Sequence, residues 1–236
     1  MTYSNTANPA QVHARVVACL GLLLAVTAAP AAAQIATPSD TALRAMDKRI
    51  QTEMTSQNIP GVTIAVASRG RIVYVGNYGM ANVELRVPVS DSTVFEIGSI
   101  SKQFTAAAAL LLVQDRRLGL DDPIHKYLAD LPGEWLGVTV RQLLTHTSGI
   151  PDYVEIGSYD QYSFRLTPEQ IIRVAHSRPM DFAPGQGWYY SDTGYFLLSM
   201  IIERIEGRPL NDVLTGRILS RARESGTRPL PQMLSV

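Results

Sequence analysis

Residues 104–113 read F-T-A-A-A-A-L-L-L-V, apolar nearly all round. Alanine and leucine favour the helix, and a helix with no polar face belongs inside a core. The rest of the chain must therefore supply the elements that bury this one. Hydrophobic residues make up 46% of the 236 residues and charged residues 18%. That is the composition of a globular protein with enough apolar material to build such a core.

The flanking sequence offers the partners. Residues 40–57 are polar with Leu43, Met46, Ile50 and Met54 at helical spacing, an amphipathic helix that Ile59-Pro60-Gly61 breaks. Residues 62–67 are apolar and β-branched, Arg69-Gly70 turns, and residues 71–78 alternate. This pattern predicts a β-hairpin. Residues 83–89 read as an extended, lid-like connection. Further helices are expected over 138–144 and 167–176, the latter with a capping Thr167 and Pro168 in its first turn. Leu197, Leu198, Ile201, Ile202 and Ile205 repeat at helical spacing until Gly207, and residues 209–219 form one more candidate helix. The expectation is two strands, about six helices and no internal repeat. After Arg217 the composition shifts to a scatter of arginines without an aromatic residue.

Several function classes fall away. Basic and acidic side chains balance at 21 each, and no basic run exists to neutralise phosphates, which argues against nucleic acid. Cys19 is the only cysteine, so no internal disulfide can form. The four histidines show no ligand spacing, so a metal site is unsupported. No cofactor is implied. Arg15, an apolar run over 16–29 and Ala31-Ala32-Ala33 follow the order of a signal peptide cut after Ala33. The apolar run is short for a membrane span of about 20 residues. The expected product is a mature chain from Gln34, periplasmic or secreted, with no stable membrane insertion once cleaved; an uncleaved anchor is the other reading.

Only three lysines occur, at 48, 102 and 126, so their settings matter. Ser99-Ile100-Ser101-Lys102 opens the apolar helix. Spacing of three puts both side chains on one helical face. A serine hydroxyl needs a base to become a nucleophile, and a lysine whose pKa falls in apolar surroundings can serve. Ser99 could equally be a plain helix cap. A second element, P-G-Q-G-W-Y-Y-S-D over 184–192, places Tyr190 and Asp192 two apart on a turn, so both can face one cleft. A phenol beside an ammonium can relay a proton, although a buried tyrosine bonded to backbone has the same signature. Six of the ten tyrosines (153, 159, 162, 189, 190 and 195) cluster around this presumed cleft, as ligand contacts or as core.

Taken together, G-S-I-S-K-Q-F-T (98–105), L-G-L-D-D-P-I (118–124), V-T-V-R-Q-L-L-T-H-T-S-G-I (138–150) and the 184–198 stretch running into I-I-E-R-I-E-G (201–207) resemble the serine beta-lactamase/penicillin-binding-protein superfamily. The resemblance is strongest to the branch of class C beta-lactamases, related esterases and D-alanyl-D-alanine peptidases, and it covers roughly residues 40–215. It implies Ser99 as acylated nucleophile, Lys102 as general base, Tyr190 as proton relay and residue 192 as a substrate-binding position. It marks His146, in H-T-S-G, as a packing residue more than a triad histidine. Without a G-x-S-x-G elbow, an α/β-hydrolase is disfavoured.

Two departures stand out. The family usually carries Asn where this chain has Asp192, and a carboxylate there should hold Lys102 protonated. The family's K-T-G or H-x-G motif, which by resemblance completes the oxyanion hole, does not occur. The expected fold is α+β, a helical domain plus an antiparallel sheet of beta-lactamase/transpeptidase type with the C-terminal strands missing. Residues 1–33 would be the signal peptide, 34–215 the beta-lactamase-related domain and 216–236 an atypical tail. The expected function is an exported serine hydrolase acting on a small-molecule or peptidoglycan-type amide or ester. The alternative is a truncated, inactive member or a binding protein. Under either reading an open sheet edge is expected to invite self-association.

Overall fold

The computed structural model describes residues 38–156 and 166–222. The expected signal peptide, Tyr159, Tyr162 and most of the arginine-rich tail lie outside the described residues. The chain divides into two compact units, the first ending at Phe95 and the second beginning at Glu96.

In the first unit, helix α1 (Asp40–Ser56) starts at Ser39, whose Oγ accepts the Ala42 N–H at 3.2 Å. Strands β1 (Gly61–Ser68) and β2 (Arg71–Asn82) pair antiparallel, Gly61 opposite Gly79 and Ser68 opposite Arg71. Both turn residues, Arg69 and Gly70, have positive φ (48° and 75°). Such a turn matches the twist of the strands it joins. Asp47 of α1 accepts hydrogen bonds from the hydroxyls of Tyr74 and Tyr78, which ties the helix to the hairpin. Burial, reinforced by Asp47, pushes the Tyr78 phenol well above its ordinary range.

The 83–89 segment is not the lid-like connection expected. It turns over 83–86 and returns as β3 (Val87–Pro88), paired with β2 through Met80 and Asn82. The sheet order is β1-β2-β3, so among the described residues the outer edge of β1 is unpaired.

In the second unit a 3₁₀ turn (Gly98–Ser101) runs into α2 (Lys102–Gln114). This apolar helix is buried on one face only, through Thr105, Ala108, Ala109 and Leu112, whereas Leu110 is 50% exposed. The expectation of burial all round is corrected accordingly. The packed face is rich in alanine, which lets neighbouring helices approach.

Both α3 (Val140–Leu144) and α5 (Pro168–His176) open with reciprocal capping boxes, Thr139 with Gln142 and Thr167 with Gln170. Such pairs satisfy two otherwise orphaned amides. Between these helices lies the single turn α4 (Tyr153–Ile156). Helix α6 (Asp192–Glu206) is capped by Ser191 and stopped by Gly207 in the left-handed conformation (φ 71°). It is followed by α7 (Leu210–Leu214), a π turn (Thr215–Leu219) and α8 (Ser220–Ala222).

Leu112, Leu143, Leu197, Leu198, Ile201 and Ile202 fill the core together with Ile124 and Trp135 from the long 115–139 connection. In that connection Asp122 accepts from the Gly119 N–H, Lys126 and Tyr127, and Asp121 pairs with Arg141. These carboxylates are thus consumed in holding a loop. Arg217 bonds Glu206 at 3.0 Å and also reaches Asp115, and Leu219 is buried. Packed chain therefore continues through Leu219.

Candidate active site

The start of α2 and the start of α6 meet within the second unit. Ser99 is exposed and sits in the 3₁₀ turn, where it does not cap the helix; Ser101 folds back on the Gly98 carbonyl instead, at 2.7 Å. Two donors converge on Ser99 Oγ: Lys102 Nζ at 3.2 Å and the Tyr190 hydroxyl at 2.6 Å. Lys102 also donates to Asp192 Oδ1 in an ion pair whose side chains are 15% and 29% exposed. The ammonium lies 4.7 Å from the centre of the Tyr190 ring and 5.7 Å from that of Tyr195. All four residues singled out from the sequence thus share one cluster, although 90 residues separate Lys102 from Asp192.

Electrostatics departs from the simplest expectation for Lys102. Burial is the largest single influence and pulls its pKa down, as apolar surroundings should. Hydrogen bonds and charge from Asp192 and Tyr190 outweigh it, so the net direction is up. The resting lysine is an ammonium. With Lys102 and Tyr190 both donating to Ser99 Oγ, no neutral base is poised on the serine in the resting state.

A second layer holds this cluster, and it comes from the H-T-S-G-I-P-D stretch. Gly149 has φ 75°, and a Cβ there would lie 2.0 Å from the Phe182 carbonyl oxygen, so only glycine fits that turn. Beyond it Asp152, 4% exposed, accepts the Val154 N–H at 3.0 Å and the Asp192 N–H at 3.1 Å. Burial pushes the Asp152 carboxyl above the usual range, against the pull of those two amides. Thr193 accepts the Tyr153 N–H and donates to the Pro151 carbonyl. His146 Nδ1 accepts the Ser191 N–H at 3.1 Å, and its ring lies 4.7 Å from that of Tyr190 at 28°. Burial, then the Lys102 charge, lower the His146 pKa, which leaves a neutral imidazole.

Sequence reasoning did not find Asp152. Its only signal is a short acidic side chain next to a proline, shared by many turns. Of the clustered tyrosines, Tyr189 is turned to Glu155 (2.9 and 3.0 Å) and Tyr195 to the Leu144 carbonyl (3.1 Å); among the described ones only Tyr190 reaches Ser99.

A serine bonded by lysine and tyrosine thus sits at the head of a half-buried helix. Residues 46–229 match the beta-lactamase family model, and the chain belongs to that family. It is 34% identical over 177 residues to penicillin-binding protein 4* of Bacillus subtilis, covering 73% of this chain and 39% of that one. Among solved structures, the octameric penicillin-binding protein homologue of Pyrococcus abyssi superposes with a TM-score of 0.67 at 33% identity, over 78% of this chain and 43% of that one. The D-amino acid amidase of Ochrobactrum anthropi SV3, solved with L-phenylalanine amide, gives 0.70 at 29% identity over 80% and 54%. The chain thus spans about two-fifths to one-half of the length of these relatives.

Proposed function

We propose that the protein is a serine hydrolase that forms an acyl-enzyme on Ser99 with an amide or ester of a small or peptidoglycan-type substrate. The observation that carries this reading is the convergence of Lys102 Nζ and the Tyr190 hydroxyl on one exposed serine oxygen, at 3.2 and 2.6 Å. An activated serine needs a partner at hydrogen-bond distance that can take its proton. The amidase and penicillin-binding relatives support an amide-type substrate.

In the proposed reaction Ser99 Oγ bonds to the substrate carbonyl carbon while its proton passes to Lys102, acting from its minor neutral form. Breakage of the C–N or C–O bond releases the leaving group, which takes a proton back through Tyr190. Water then cleaves the Ser99 ester by the reverse relay. Asp192 binds Lys102 and sets how much neutral amine is present.

Labelling with a fluorescent penicillin and with a fluorophosphonate, followed by peptide mass spectrometry, tests this. The expected adduct is on Ser99 and absent from Ser99→Ala; folded wild-type protein that takes neither label would overturn the reading. We also propose export, on the order of basic residue, apolar run and Ala31-Ala32-Ala33. Among the described residues no helix is long and apolar enough to cross a membrane. Protein recovered from its host should begin near Gln34, and an intact Met1 on cytoplasmic protein would refute it.

A further inference from the structure

The geometry points to His146 as a positioning residue for Tyr190: it holds the phenol against Ser99 through a backbone hydrogen bond and a ring stack, and it takes no proton from the serine. The inference rests on the hydrolase reading and adds to it a residue that reaches Ser99 only through Tyr190.

Three contacts from one residue surround Tyr190. The His146 carbonyl accepts the Tyr189 N–H at 3.0 Å. Its Nδ1 accepts the Ser191 N–H at 3.1 Å, so the amides on both sides of Tyr190 are anchored to one residue. Its ring lies against the Tyr190 ring, centroids 4.7 Å apart and 28° from parallel, and is backed by Tyr195 at 5.1 Å and 30°. The edge of Trp188 stands 6.1 Å away at 77°. Tyr190 itself is exposed, and beyond His146 it is met by Ser99 and Lys102.

The chemistry of the side chain suits the task. Nδ1 can accept only while it carries no proton, which places the proton of the neutral ring on Nε2. Burial and the nearby Lys102 charge favour that neutral form, and Asp192 opposes it weakly. Nδ1 is already occupied by a backbone amide, which leaves it unable to act as the base on Ser99.

His146 also holds a left-handed backbone, φ 58°. That conformation is uncommon outside glycine, with His, Asn and Asp the more tolerant side chains. Strained backbone of this kind persists where its surroundings over-determine it, and it gathers at functional sites.

The test compares His146→Ala, which removes both contacts, with His146→Asn, whose Oδ1 stands where Nδ1 did and which tolerates the same backbone. Ser99 labelling by fluorophosphonate is followed at increasing probe concentration, alongside thermal melting. Displacement of a reacting group by about 1 Å can slow a reaction on the order of 10²-fold. His146→Ala should therefore lower the saturating rate roughly 10–100-fold with the half-saturating concentration unchanged, and His146→Asn should recover most of it.

A second readout does not depend on reactivity. In fluorotyrosine-substituted protein, the ¹⁹F resonance that Tyr190→Phe deletes loses the ring current of His146 in both variants; it should broaden in His146→Ala and stay narrow in His146→Asn. Wild-type labelling rates in His146→Ala, a Tyr190 resonance as narrow there as in the wild type, or equal losses in both variants tracking only their melting temperatures would overturn the inference. Wild-type protein that takes no label would refute the hydrolase reading, and the fluorine resonance would still decide whether His146 positions Tyr190.

Discussion

Asp192→Asn is the most informative single change. Asn is close in shape, keeps an oxygen for Lys102, and removes only the negative charge. Two unit charges about 4 Å apart at an effective dielectric near 20 attract by about 4 kcal/mol. The pair is partly exposed, with side chains at 15% and 29%, so solvent screening reduces this. The preference for the ammonium should fall by about 1.5–3 kcal/mol. Since 1.36 kcal/mol is tenfold, the neutral amine at a given pH below the lysine's own titration should become roughly 10–100 times more abundant. If neutral Lys102 is the base, Ser99 labelling at neutral pH should accelerate by the same factor. The sign follows from Lys102 being held above its ordinary value by Asp192 and Tyr190 against the pull of burial: wild-type labelling should climb with pH far into the alkaline range, and the variant's climb should begin at lower pH. The assay is the fluorophosphonate rate from pH 6 to 10. A pH profile that does not move would refute the idea that Asp192 restrains the base, and a slower variant would assign the carboxylate a direct part in catalysis.

Lys102→Ala should remove nearly all labelling, and Ser99→Ala plus Lys102→Ala should be little worse than either alone, because members of one catalytic unit fail together; additive losses would separate them. Leu112→Ala, at a fully buried site on α2, should destabilise the protein by about 2–5 kcal/mol, whereas Leu110→Ala on the exposed face should change it by less than about 1 kcal/mol, as read by urea unfolding. Asp152 has a folded pKa raised by burial, so its contribution to stability is complete below its unfolded value of about 3.9 and is lost as pH rises through the folded value. Glu203, also raised by burial, adds to the same trend. Asp152→Asn should therefore flatten the decline in unfolding midpoint above about pH 4, and an unchanged slope would mean that Asp152 ionises as freely in the folded protein as in the unfolded chain.

The features read most directly from sequence are those set by local spacing. Ser99 and Lys102 are three residues apart on one helical face, and the hairpin is announced by Arg69-Gly70 between apolar strands. The cap at Thr167 is announced by the proline that follows it, whereas the box of Thr139 with Gln142 was not anticipated. What escaped was fixed at long range. Strand β3 is two residues long, one of them Pro88, and has no periodicity to detect. Ile124 and Trp135 enter the core from an irregular connection whose apolar residues fit neither the helical nor the strand period. The bonds from Asp152 to the Asp192 amide and from His146 to the Ser191 amide span 40 and 45 residues. A single chain offers no pattern for such pairs; H-T-S-G was visible as a landmark, but not as the clamp on Tyr190. The apolar helix departs from its expected full burial for a related reason. Composition says that a segment prefers burial, and only the neighbours decide how many sides receive it.

Asp192 joins these layers at a position where the resemblance leads one to expect an amide. It is the first residue of α6, where the helix dipole stabilises a negative charge by about 0.3–1 kcal/mol. Its backbone N–H is taken by Asp152 and its side chain by Lys102, so one residue anchors a helix start and neutralises a half-buried ammonium. For folding, aspartate is thus the better choice at this position; for a lysine that must lose its proton, it is the worse one. Asp192→Asn should therefore trade the two properties against each other, labelling faster while unfolding at lower urea. A variant that gained on both counts would show that the ion pair contributes nothing to the fold, and that the carboxylate is held there by a need the resting geometry of Ser99, Lys102 and Tyr190 does not contain.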